Sequence, residues 1–340
     1  MNKEEKVNEF LNIFFNFHHE RNNLIFDNFG DYANLYFFLT GLIDEFREYN
    51  DIDFKEISRV SFLDKIKLIQ GFYDKYNIDI NLEDIISNGT LNIEFNSLEE
   101  VLRDNDYDLL LKGENNYINK FKTIDVYDNQ LLTDSIILVH ELSHYRNQPD
   151  DKRSQVNNLL TESLAFFEEL IYCDYLDEVG YQKEASVFKK NEFQNLRNSL
   201  SRLYPILGIY YLYDKTGSIS KENYEFLYGN IDHYEYCLEE MFKTIELGDY
   251  NIILNLIWYM VAFALSIYMY ISFKEDNKFL ENIKNLNDNL NKISLSDALI
   301  ILGLDENCFT KFNKDKIIDA FKWYMIELDS LEISNANTRN

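Results

Sequence analysis

The sequence predicts a mainly α-helical protein, and three observations carry that expectation. Only 2 prolines and 11 glycines punctuate 340 residues, too few breakers for many short strands joined by tight turns. Apolar residues recur at helical spacing, as in SFLDKIKLIQGFYDKY, where Phe62, Ile66, Ile69, Phe72, Tyr73 and Tyr76 follow the period of a buried face. Apolar types make up 46% of the chain, including 26 Phe and 25 Tyr, so there is ample material for a core and the chain as a whole is not disordered.

Taken in order, residues 1–80 read as helices separated by turns near Gly30, Gly41 and the pair Asn50 and Asp51. TLNIEFN, 90–96, alternates with period two and predicts a strand, with FKTIDVY, 121–127, as its partner. Any β element is therefore small and lies near 90–127. From there the pattern is helical to the end. A polar loop from Arg146 to Asn158 separates two strongly apolar helices, and a second loop falls at Asp214–Ser220. No internal repeat or low-complexity tract appears. The stretch from Asn251 to Phe273 carries no charge and is long enough to span a bilayer. The alternative is a helix buried on all sides. Asn255, Tyr259, Ser266, Tyr268 and Tyr270 would need polar partners in lipid, and no Lys/Arg-rich loop flanks the stretch to orient it.

Lys and Arg total 33 against 59 Asp and Glu, a net charge of −26. Such a surface repels phosphate backbones and anionic lipid, which argues against nucleic acid and membrane partners. The three cysteines, Cys173, Cys237 and Cys308, are scattered and form no CxxC pair, a pattern that fits a reducing compartment rather than a disulfide framework. The first twenty residues carry Glu4, Glu5, Lys6 and Glu9, and Asn12 and Asn16 break their apolar run. They do not read as a signal peptide, and a cytoplasmic location is expected.

Chemistry concentrates in VHELSHY. Two of only five histidines, His140 and His144, stand four residues apart with Glu141 between them. About 0.005 such HExxH patterns are expected by chance at this composition. Residues i and i+4 share one helix face, so both imidazoles can reach one metal ion, while Glu141 can reach a water on that ion. The preceding SIILV, Ser135–Val139, gives the helix an apolar body and the site a dry wall. A catalytic zinc needs a third protein ligand and an open fourth position. Glu162, eighteen residues after His144, is the first acid of the next apolar helix, LLTESLAFFEELIYCDYL, and is its ligand candidate. Glu169 lies two turns further on the same face and can orient a ligand histidine. Glu168 and Glu169 are also the fallback ligands, or else an ordinary solvated pair.

SIILVHELSHY followed by TESLAFFEEL resembles the oligoendopeptidase F and thimet oligopeptidase family of zinc peptidases. There the motif is HExGH, followed by a glutamate ligand in an E-x-x-S context with a second Glu seven residues on. Ser143 stands where the family usually has Gly, Ala165 where it has Ser, and the interval between the motifs is shorter. IWYMVAFALSIYMYISF resembles the family's Tyr-rich helix facing the cleft, and DALIILGLDENCFTKFNKDKIIDAFKWYMIELDSL its terminal signature. The resemblance covers roughly 125–335 and implies a zincin-like, multi-helical peptidase fold. Residues 1–120 would form a helical cleft wall, smaller than in the family, and 121–340 the catalytic region. It also implies one Zn2+, short peptides as substrates and Glu141 as general base. For the hydrogen-bond donor to the developing oxyanion it points to Tyr259. His233 is a further candidate, although the family's histidine lies nearer the Tyr-rich helix. Tyr204, Tyr210 and Tyr211 complete the donor candidates, whereas His18 and His19, beside Glu20 and Arg21, read as surface residues. Two other functions fit the same sequence: a peptide-binding protein that keeps the fold without turnover, and a membrane-embedded zinc protease built on Asn251–Phe273. Glu141 argues against the first, because a purely structural metal site has no use for a base there.

Overall fold

The fold comes from a computed structural model, in which residues 2–20, 38–42, 57–96, 113–118, 121–147, 155–248, 250–290, 292–306 and 310–337 are described. The chain is mainly helical. Its named elements are α1 (Lys3–Glu20), α2 (Phe62–Tyr76), α3 (Leu82–Ser87), β1 (Leu91–Phe95), β2 (Gly113–Ile118), β3 (Phe121–Asp128), α4 (Asp134–Asn147), α5 (Gln155–Glu178), α6 (Gln182–Thr216), α7 (Lys221–Tyr228), α8 (Tyr234–Leu247), α9 (Tyr250–Glu275), α10 (Phe279–Asn289), α11 (Leu295–Ile301) and α12 (Lys311–Asn337).

The periodic segment 62–76 is α2. Ser61 caps it by accepting from the Asp64 amide, and Ile69, Phe72 and Tyr73 are buried. The two expected strands pair in parallel, Leu91 opposite Ile124 through Phe95 opposite Asp128. A third strand, β2, pairs antiparallel on the other side of β3, giving the order β1-β3-β2. Gly41 lies within a helical segment, 38–42, rather than at a turn. Phe38, Leu39 and Leu42 are buried there, and a Cβ on Gly41 would meet Ile318 at 3.3 Å, so packing holds the helix through the glycine. The turns expected near Gly30 and at Asn50 and Asp51 lie outside the described residues. The loop expected at Arg146–Asn158 is shorter at both ends, because α4 runs through Asn147 and α5 starts at Gln155. The second loop stands as expected, with Gly217 at φ 72° closing α6.

One contiguous core holds the helices together, from Val7 and Leu11 of α1 to Tyr324 and Leu328 of α12. At its centre α5 packs against α4, α9 and α6. The uncharged stretch is α9, whose residues from Met260 to Tyr270 are all buried against protein. Its buried polar groups have protein partners. Ser266 donates to the Phe263 carbonyl at 2.7 Å, and Tyr268 to the Leu302 carbonyl at 3.0 Å. The Tyr270 hydroxyl joins Asp174, Glu327 and Lys189. Among the described residues no helix is long and apolar enough to cross a membrane.

Two buried ionic clusters tie distant segments to the helices that carry the site. Lys65, on α2, places its Nζ 2.9 Å from Asp128 and 2.7 Å from Asp134, at the end of β3 and the start of α4. Lys189, on α6, bridges Asp174 of α5 and Glu327 of α12, each at 2.7 Å. A neutral link joins α4 and α5 directly, the Tyr172 hydroxyl donating to Ser135 Oγ at 3.0 Å. Tyr172→Phe is expected to lose about 1 kcal/mol of stability in urea unfolding, because Ser135 keeps its bond to the Leu132 carbonyl.

Candidate metal centre

The HExxH segment forms a helix with an apolar body, and its first residue, Asp134, is tied to the turn before it. Asp134 accepts from the Asn129 and Leu131 amides at 3.0 Å each, and from Lys65. Burial pushes the Asp134 carboxyl up to about 6, even with Lys65 against it. Ile136, Leu138, Val139 and Leu142 are buried, which sets α4 in the core over β3 and β2 and alongside α5.

His140 and His144 then share one face, their Nε2 atoms 3.0 Å apart. Glu162, in the N-terminal half of α5, brings Oε2 to 3.5 Å from His140 Nε2 and 3.3 Å from His144 Nε2. That oxygen is buried and faces both imidazole nitrogens. Among the described residues these three form the group whose ligand atoms can hold a metal ion. A tetrahedral ion with ligand bonds of about 2.0–2.1 Å separates its ligand atoms by about 3.3–3.4 Å, and the three measured edges bracket that value. Two imidazole nitrogens and a carboxylate are also the donor set of catalytic zinc. The residues therefore fit the ion.

Around this triangle the neighbouring carboxylates have distinct places. Glu169, buried, sets Oε1 2.7 Å from His140 Nδ1, the position that fixes the imidazole with Nε2 towards Glu162. Glu168, also buried, pairs instead with Arg146 at the end of α4. It is neither a solvated acid nor a ligand, because the guanidinium takes it. Burial alone would lower His140, but the Glu169 charge and hydrogen bonds to Glu162 and Glu169 outweigh it and hold the imidazole well above its ordinary range. Burial would raise Glu162, yet its hydrogen bonds with His140 and His144 hold that carboxyl below the usual carboxylate range. Glu141 is buried on the same helix, close enough for its charge to act on Glu169. Glu169→Gln is expected to keep the chain folded and to weaken zinc about 10–100-fold in a chelator competition.

Of the donor candidates, Tyr259 lies nearest by contact. Its ring packs edge-on against Phe166 at 6.2 Å, and Phe166 against His140 at 5.2 Å. His233 is exposed at the start of α8, a helix packed on α6 and α1. Tyr210 is buried against Phe14, Tyr211 packs on Tyr228, and Tyr204 is partly exposed. The side chains of His18 and His19 lie outside the described residues. Sequence reasoning missed two groups. Glu192 of α6 is pushed up to about 8 by burial and by the Glu169 charge. Arg146 takes Glu168 out of contention as a ligand. Only Arg146, two residues past His144, carried a signal, as a cation facing two adjacent acids one helix away.

No family model, no curated protein and no solved structure matches this chain.

Proposed function

We propose that the protein is a zinc-dependent metallopeptidase that hydrolyses short peptides, on a zincin-like helical scaffold of the kind the sequence resembles. The observation that carries this reading is the triangle of His140, His144 and Glu162, three ligand atoms within reach of one ion, with Glu141 on the helix of the two histidines. A structural metal site needs no such base.

Zinc held by these three residues would supply Lewis acidity, lowering the pKa of a water and polarising the peptide carbonyl. Glu141 accepts the attacking water's proton and delivers it to the leaving amine nitrogen as the C–N bond breaks. Glu169 keeps His140 in the tautomer and orientation that present Nε2. The apolar body of α4, with Phe166 against His140, keeps water from the wall of the site and strengthens each charge there. The Tyr259 hydroxyl donates to the carbonyl oxygen as it gains charge. Cys173 and Cys237, buried and unbridged, support a cytoplasmic setting, and the charge of −26 disfavours nucleic acid as a partner. The zinc-loaded protein is expected to cleave members of a diverse pool of short peptides. Bound zinc with an intact pool would instead favour a peptide-binding protein without turnover.

A further inference from the structure

Phe166 follows Glu162 by four residues on α5, so it projects from the same face as the ligand carboxylate. Its ring packs edge-on against the His140 imidazole at 5.2 Å, against Phe263 at 5.3 Å and against Tyr259 at 6.2 Å. Phe166 is 8% exposed and Phe263 2%, but Tyr259 is 45% exposed. The residues after it on α9, from Met260 to Tyr270, are all buried. An aromatic row therefore runs from a ligand histidine to the surface, and its outer member presents nearly half its area to solvent.

We propose that Phe166 and Tyr259 form the wall of a side-chain subsite beside the metal centre, selecting peptides with an aromatic or large aliphatic residue next to the scissile bond. This inference rests on the peptidase reading above. Two ring contacts link Tyr259 to His140, so a peptide whose carbonyl sits at the metal has this row beside it. The carboxylates around the centre, Glu141 and Glu169, both buried, and Glu162, partly buried, add negative charge and make an acidic residue at that position unfavourable. Filling an apolar wall of this kind discriminates between side chains by about 10–200-fold.

The test uses quenched peptides identical except for Phe, Leu, Gly or Asp at the position flanking the cleaved bond. The zinc-loaded wild-type chain is expected to prefer Phe and Leu over Gly and Asp. Tyr259→Ala is expected to reduce the Phe-to-Gly ratio of kcat/KM about tenfold, mainly through KM. Tyr259→Phe is expected to keep that ratio while lowering kcat on every peptide, because only the hydroxyl is lost. Binding provides a second readout: in the Glu141→Gln background, calorimetry is expected to show Tyr259→Ala weakening the Phe peptide about tenfold more than the Gly peptide. An unchanged ratio in Tyr259→Ala, in a wild-type chain that cleaves peptides, overturns the subsite and leaves the peptidase standing. Failure of the zinc-loaded wild type to cleave any peptide overturns both.

Discussion

Glu141→Gln is expected to hold one zinc ion per chain, unfold at the same urea concentration as the wild type, and lose about 10²–10⁴-fold in kcat on any peptide the wild type cleaves. Glutamine keeps the size of the side chain and its place on α4. The proposed ligand atoms belong to His140, His144 and Glu162, so binding is expected to survive. What disappears is the carboxylate proposed to accept the water's proton. Paired zinc analysis and single-peptide kinetics check both halves, and near wild-type turnover in this variant would remove Glu141 from the mechanism.

The second large effect is on stability. Lys65→Met is expected to destabilise the fold by about 3–5 kcal/mol, the range for breaking a buried ion pair on one side. Lys65 is 1% exposed, and its Nζ serves both Asp128 and Asp134. Without it two buried carboxylates are left with no cation, and Asp128 Oδ2 already has no partner. The loss has a pH signature. Asp134 in the folded chain lies at about 6, above its ordinary value of 3.8, because burial disfavours its charge. A group raised on folding contributes stability at low pH and loses it as pH rises through the folded value. Removing the cation raises the carboxyl further, so the deficit of Lys65→Met is expected to be larger at pH 7 than at pH 5 in urea titrations. Because Asp134 opens the helix that carries both histidines, this variant is also expected to bind zinc more weakly.

Much of this architecture was legible because it rests on short-range physics. The face of α2, the alternation in β1 and β3 and the histidine spacing all follow from helix or strand period. The approach of Glu162 to both histidines followed from its place early in the next apolar helix. β2 was not legible: GENNYI lacks the branched and aromatic enrichment of a strand, and it is held by its pairing with β3. Glu168 and Glu169 are chemically identical in sequence, and only the tertiary placement of Arg146 and His140 separates an ion-pair partner from an imidazole anchor. Glu192 comes near Glu169 because α5 and α6 turn back on each other at Gly180, with φ 100°, and no local pattern announces a contact made that way. The charge-free stretch was ambiguous because hydropathy alone does not distinguish lipid from a protein core. The bonds of Tyr268 and Tyr270 to groups on other segments make the difference.

The proposed function depends on three side chains, His140, His144 and Glu162, holding one ion, and metal stoichiometry tests that directly. The purified chain, stripped with chelator, reloaded with zinc and dialysed, is expected to retain one zinc per chain by elemental analysis. The folded Glu162→Gln variant is expected to retain little or none under the same dialysis. A folded wild-type chain that holds no zinc, or a Glu162→Gln variant that holds it as tightly as the wild type, would contradict the account.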